Sequence, residues 1–336
     1  MKYTTKIQQL CSQAIMLGYI ITFGILSISH LQAKSIIVIT SGMDSARWGL
    51  KANGLDDDTE ALQNIFNQSD SCEIVFDGGE FLIHRTLLLK SGCKVIGKNG
   101  AILKAAPVIT GTLLNYGRFF YLNEVSDCSI IGLKFLSENG SFRLSGWGDA
   151  CISIYNSTNS VIESNTFQFD QKYGIAGLEA VWISGPKTKN TQIRNNAIYG
   201  LGIKYAENGA CFTIVENNRI INAHSNALTA NGNSAEMIAG CKIINNYIEN
   251  AGRMGIEDWG LVDGSLIKGN TIKGTGKDPA QKHEGLGISA VGINTKVINN
   301  KIYDAQIFIW KLAEIITLLP RIMRFWTFPV KQPASF

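Results

Sequence analysis

No glycine-rich phosphate loop interrupts this chain, and no cysteine and histidine spacing suits a zinc site. No basic stripe marks a nucleic-acid surface, and a net charge of +4 over 336 residues is too mild to stand in for one. The leucine consensus that builds horseshoe repeats is missing. Glycine and asparagine vanish altogether from residues 305–336. These absences set aside P-loop chemistry, zinc modules and nucleic-acid partners.

What is present is a repeat. Seven segments superimpose on the apolar anchors Phe135, Phe167, Ile198, Ile220, Ile248, Ile272 and Ile302. Five residues before each anchor stands a β-branched aliphatic: Ile130, Ile162, Ile193, Val215, Ile243, Ile267, Val297. Seven before stands a small residue: Cys128, Ser160, Thr191, Thr213, Cys241, Ser265, Thr295. Two before stands asparagine in six of the seven copies, at 165, 196, 218, 246, 270 and 300, with Leu133 in the first. The anchors are 22 to 32 residues apart, a period that signals stacked repeats.

One copy cannot bury its own apolar face, so it must stack on the next. β-Branched columns suit pleated, half-buried strands, and stacked strands lie ~4.8 Å apart. An asparagine at the bend tolerates the left-handed region, and its amide can bond the rungs above and below. A β-sandwich would give regular strands but no asparagine column. The expectation is an all-β chain: a single-stranded parallel β-helix with a short N-terminal capping helix, right-handed by the general rule for parallel crossovers.

The chain divides into four stretches. Residues 1–33 read as a signal peptide: Lys2 and Lys6, an apolar run from Ala14 to Ile28, and a cleavage site after Ala33. Leu31 is large for that site, so an uncleaved anchor is the alternative. Residues 34–70 form a cap segment, 71–304 the β-helix, and 305–336 an apolar tail with Lys311, Arg321 and Arg324. The tail reads as a helix closing the last rung, a membrane-surface segment, or a coding change that truncates the solenoid. Export would make the protein secreted, periplasmic or surface-bound. Membrane contact is expected only through the two terminal segments, and the chain is expected to be a monomer. Six cysteines remain beyond Cys11; they read as small buried hydrophobes, with bridging between stacked rungs as the alternative.

In the cap segment, Asp56, Asp57 and Asp58 with Thr59 start a helix, their carboxylates complementing its N-terminus. Ala61, Leu62, Ile65 and Phe66 share its apolar face, which would cover the open end of the first rung. The run N-G-L-D-D-D-T-E-A-L-Q from Asn53 to Gln63 resembles the G-D-G-x-x-D-D-T-x-A-x-Q segment of pectate-lyase-like, rhamnogalacturonase/epimerase-type β-helix proteins. It departs at the first G-D-G, which here is only Asn53-Gly54. The resemblance spans about Trp48 to Asp304 and implies the fold, with the aspartates as a capping feature. It also implies a polysaccharide laid along the solenoid. The family's activity signatures are missing: G-H-G with R-x-K, R-x-P-x-x-R, and D-P-H-E, of which Asp278-Pro279 and His283-Glu284 are a loose echo.

A second strand follows each asparagine bend. Aligning Gly232, Gly260 and Gly292 points Leu228, Ile256 and Ile288 inward and sends Thr229, Asn231, Glu257, Trp259 and Ser289 outward. Earlier rungs add Trp182, Ser184 and Lys204, and the bends add His224, Arg253, His283 and Glu284. Glu257, Arg253, His224 and His283 are the candidate catalytic residues. Trp182, Lys204, Asn231, Trp259 and Glu284 are the candidate substrate-binding residues. Glu257 suits general acid or base work, a histidine proton transfer, and Trp182 or Trp259 a sugar face. Arg253 and Lys204 suit the carboxylate of an acidic sugar. Hydrolysis would pair Glu257 with Asp258, Asp263 or Glu284, though alternation places Asp258 inward or at the strand end. Lyase or epimerase chemistry would use a base and a cation. The expected function is an exported lyase or hydrolase acting on a uronic-acid-containing polysaccharide. The alternative is a non-catalytic glycan-binding or surface β-helix, or a truncated inactive relative. No cofactor is required by these residues, with calcium left possible.

Overall fold

Residues that recur at one position in every repeat need a backbone that repeats beneath them. The computed structural model, which describes residues 35–40, 47–68, 72–110, 117–137, 149–169, 178–232 and 236–310, provides it as two ten-stranded sheets and one nine-stranded sheet. Neighbouring strands come from successive turns of the chain and pair in parallel, the topology of a parallel β-helix.

The first sheet carries the aliphatic column. Ile130, Ile162, Ile193, Val215, Ile243, Ile267 and Val297 are register partners in unbroken succession. The column continues below the seven copies through Ile74 and Val95. The second sheet carries the anchors, and their column likewise reaches down through Phe81 and Leu103. Phe135 and Phe167 stack with ring centroids 4.8 Å apart and planes 7° from parallel. Cys128 and Cys241 are buried in the small-residue column, as the ladder reading required.

Between these sheets runs the asparagine ladder. The side-chain amide of Asn196 donates to Asn218 Oδ1 at 2.9 Å and to the Ile162 carbonyl at 3.0 Å. The same pattern recurs at Asn165, Asn218, Asn246 and Asn270. One part of the expectation is corrected. The left-handed residue of the bend is not the ladder asparagine but the residue before it: Gly132, Ser164, Asn195, Asn217, Asn245, Gly269 and Asn299 all have positive φ. That residue takes the sharp corner, which frees the next side chain to point inward and bond along the stack.

Helix α1 (Thr59–Asn67) buries Leu62, Ile65 and Phe66. Of the aspartates before it, Asp58 acts differently from the capping expected. The Asp58 carboxylate turns away from the helix and accepts the main-chain N–H groups of Lys51 at 2.6 Å and Ala52 at 3.1 Å. Asp57 Oδ1 accepts the N–H of Thr59 at 2.9 Å. Gln63 then pairs with the main chain of Leu88, accepting its N–H at 2.8 Å and donating to its carbonyl at 3.1 Å. Leu87–Leu88 is the first strand of the third sheet, so the helix supplies that edge with a substitute partner.

The third sheet begins at Leu87–Leu88 and ends at Ile307–Trp310, which pairs with Leu286–Ala290. That last strand lies within the stretch set apart as a tail; residues 311–336 and the signal segment lie outside the described residues. No helix among the described residues is long and apolar enough to cross a membrane.

Candidate active site

The outer face of the third sheet brings the candidate residues into register. Trp182 pairs with Lys204, Lys204 with Thr229, Thr229 with Glu257, and Glu257 with Ser289. Asn231 and Trp259, two residues beyond Thr229 and Glu257, form a second column with Glu207, which a bulge sets three beyond Lys204. The inward partners Ile203, Leu228, Ile256 and Ile288 are fully buried, as alternation required.

Two clefts meet on this face. The first, of about 310 Å³, is lined by Glu179, Lys204, His224, Asn226, Glu257 and Trp259 among others. The second, of about 290 Å³, holds Met254, His283, Glu284, Leu286 and Ser289. Arg253, Glu257 and Trp259 border both and form the wall between them. The bends that precede the strands build the sides, so outward residues such as Glu257 are nonetheless almost covered.

Glu257 sits at the centre. Asn226 Nδ2 donates to its Oε2 at 2.7 Å, and Arg253 Nη1 lies 3.5 Å from its Oε1. Burial raises its pKa, while Arg253, Lys204 and the Asn226 hydrogen bond oppose the rise. Arg253 also pairs with Glu284 through its Nε. Lys204 Nζ pairs with Glu207 Oε1 at 3.0 Å and lies 4.0 Å from the centroid of the Trp182 ring. Both cations expected to meet a sugar carboxylate are therefore already engaged by glutamates. The Trp182 indole faces Lys204 and donates its Nε1–H to Glu207 at 2.8 Å, whereas Trp259 remains 46% exposed.

The two histidines separate. His224 lines the first cleft but is buried, and burial pushes its pKa down to about 4. His283 lines the second cleft with a largely exposed side chain, 3.5 Å from Glu284. Of the partners considered for Glu257, Asp258 points into the core, where it accepts hydrogen bonds from Tyr205, Ser265 and Thr295. Asp263 lies at a two-stranded corner sheet and accepts from Asn294. Glu284 reaches the second cleft.

The carboxyl group that sequence reasoning missed is Glu179. It lies in the first cleft, buried, and burial pushes its pKa up to about 8. Strict alternation from Ile183 would turn it inward with Val181. A register shift between Glu179 and Val181 reverses the phase there. Its signal in the sequence is a lone acid in the otherwise apolar run Leu178–Ile183. Gly202 makes room for it: a Cβ on Gly202 would lie 2.7 Å from Glu179 Oε2 and 2.3 Å from the Asn226 carbonyl oxygen. Asn226 is thus a neighbour of Glu179 through its main chain and of Glu257 through its side chain. Among the described residues, no group of three or more His, Cys, Asp or Glu side chains converges as a metal site would.

With this geometry in place, residues 118–302 match the family described as the right handed beta helix region. The chain belongs to that family. The match also fixes the handedness expected from the crossover rule. No curated protein matches the chain. Among solved structures, this β-helix is similar to PfbA, a surface adhesin of Streptococcus pneumoniae, at 14% identity and a TM-score of 0.39, covering 82% of this chain and 93% of the adhesin. It is similar to an exopolygalacturonase from Thermotoga maritima at 11% identity and a TM-score of 0.48, covering 82% and 78%. It is similar to an iota-carrageenase at 13% identity and a TM-score of 0.45, covering 77% of this chain and 57% of that enzyme. Likeness at this level concerns the fold alone.

Proposed function

We propose that this β-helix cleaves a polysaccharide as a glycoside hydrolase, with Glu179 as proton donor and Glu257 as the second carboxylate. The observation that carries the reading is the pair itself: two covered carboxyl groups line one cleft and share Asn226 as a neighbour. Their environments differ, which is how two like acids take opposite roles. Glu179 is held in its protonated form by burial. It would give its proton to the glycosidic oxygen as the bond to the sugar breaks. Glu257, steadied in its charged form by Arg253 and Asn226, would attack the sugar or activate a water, according to the separation of the two groups. Trp259 offers a ring face to the sugar beside them. Lyase chemistry is less favoured, because the cations it would use to neutralise a uronate are paired with Glu207 and Glu284.

The test is to incubate the purified protein with a panel of neutral and acidic polysaccharides, with and without calcium, following reducing ends and ultraviolet absorbance. New reducing ends without the absorbance of an unsaturated uronate are expected. Absorbance rising with the reducing ends would establish a lyase instead. Silence from a well-folded protein would favour a glycan-binding role.

A further inference from the structure

Three buried polar atoms without a hydrogen-bond partner belong to residues around the first cleft: Glu179 Oε2, His224 Nδ1 and Asn231 Oδ1. Buried polar groups are nearly always partnered, and an unmade bond at such a site is costly. Three of them gathered around one cleft point to a site that takes a ligand. Its chemistry follows from what these atoms accept. Asn231 Oδ1 only accepts. The low pKa of His224 leaves it neutral, so its ring nitrogens accept or donate according to tautomer. A hydroxyl can answer each of these groups, whereas a carboxylate can donate to none. The charge balance agrees. Glu179, Glu207, Glu257 and Glu284 surround Lys204 and Arg253, and each of those cations is in an ion pair. With Glu179 protonated, a uronate would add its charge to those of Glu207, Glu257 and Glu284 where, among the described residues, Lys204 and Arg253 are already paired, a like-charge contact that suppresses binding.

We infer that the first cleft is built for an uncharged, hydroxyl-rich sugar ring and rejects a uronate at the same position. This rests on the reading of the cleft as a sugar site, but not on catalysis.

The experiment uses matched pairs of oligosaccharides: oligogalacturonate, oligomannuronate and oligoglucuronate, each beside its carboxyl-reduced neutral counterpart of the same linkage and length. Binding to the full-length Glu257→Gln variant is measured by calorimetry at pH 7, so turnover does not enter the result. At least one neutral member should bind at least tenfold more tightly than its uronate partner, with little dependence on salt. Trp259→Ala, made in the same background, should weaken that binding at least tenfold and so place it in the cleft. A uronate that binds as tightly as its neutral partner would overturn the inference, as would the absence of binding by every neutral member at millimolar concentration. Tight neutral binding by a protein that shows no hydrolysis would sink the hydrolase reading while leaving this inference standing.

Discussion

The Tyr205 hydroxyl lies 3.0 Å from Asp258 Oδ1, inside the solenoid and two rungs away. Tyr205 is the extra residue of a bulge between Lys204 and Ala206, and it is fully buried. Asp258 collects two more hydroxyls, from Ser265 at 3.1 Å and Thr295 at 2.8 Å. This network fixes the inward face of the strand whose outward neighbours are Glu257 and Trp259. Tyr205→Phe removes one donor and leaves the carboxyl with two, at a cost of about 1–3 kcal/mol. Chemical denaturation should show that loss with little change in KM. A variant as stable as the parent would mean that the hydrogen bond contributes nothing net.

The asparagine ladder should be fragile in the middle. Asn218 accepts the main-chain N–H and the side-chain amide of Asn196 and donates to the Ile193 carbonyl. Asn218→Ala leaves buried donors and an acceptor without partners, so a loss of roughly 2–4 kcal/mol is expected. Thermal unfolding of the variant beside Asn217→Ala checks this. Asn217 has a positive φ of 55°, so its replacement should cost only the strain of placing alanine at the corner, about 1–2 kcal/mol. Equal losses would contradict the division of labour within the bend.

Gln63 and Leu88 offer a test of the cap. The glutamine amide occupies both main-chain groups of an edge strand. Gln63→Ala frees them, and unpaired edges template association. The variant should stay folded yet show concentration-dependent association by light scattering, where the parent stays unchanged. A monodisperse variant would show that the rest of α1 shields the edge.

The columns of the first two sheets were legible because each rung repeats the same demand: an aliphatic at Ile162 or Ile193 has one place to go. The third sheet was legible in the column from Lys204 to Ser289, and alternation holds along the strands of Thr229 and Glu257, though a bulge at Tyr205 breaks it beside Lys204. It failed at Glu179 because a bulge resets the phase, and nothing in the local residues announces a bulge. The partners of Lys204 and Arg253 were also out of reach: the bulge at Tyr205 puts Glu207 beside Lys204 on the same strand, and Glu284 reaches Arg253 from the bend before the next strand. Asp58 misled for a simpler reason. A carboxylate beside a helix start suits a cap, yet the N–H groups of Lys51 and Ala52 lie closer to it.

His224 makes the fold sensitive to acid. Burial lowers its folded pKa from 6.5 to about 4, so the folded state binds fewer protons than the unfolded chain between those values. Its contribution is fully present above pH 6.5 and is lost as pH falls towards 4, by roughly 3 kcal/mol in all. Urea unfolding across that window should show a steeper loss for the parent than for His224→Gln. Parallel curves would mean that the imidazole is reached by water and titrates normally.

Glu179 acts in the opposite sense. Its folded pKa is raised from 4.5 to about 8, so the folded state holds a proton that the unfolded chain releases. That contribution is complete below pH 4.5 and is lost as pH rises through 8, by up to roughly 5 kcal/mol. Glu179→Gln keeps the shape and cannot ionise, so it should become the more stable of the two at alkaline pH. The same proton is the one the proposed mechanism transfers. Turnover by the parent should therefore fall as pH rises through about 8, and the glutamine variant should lose about 10²–10⁴ in kcat. Stability and rate together separate the possible roles. A variant stabilised at high pH but fully active would leave Glu179 a buried acid outside the chemistry, and its place as proton donor would pass to Glu257 or Glu284.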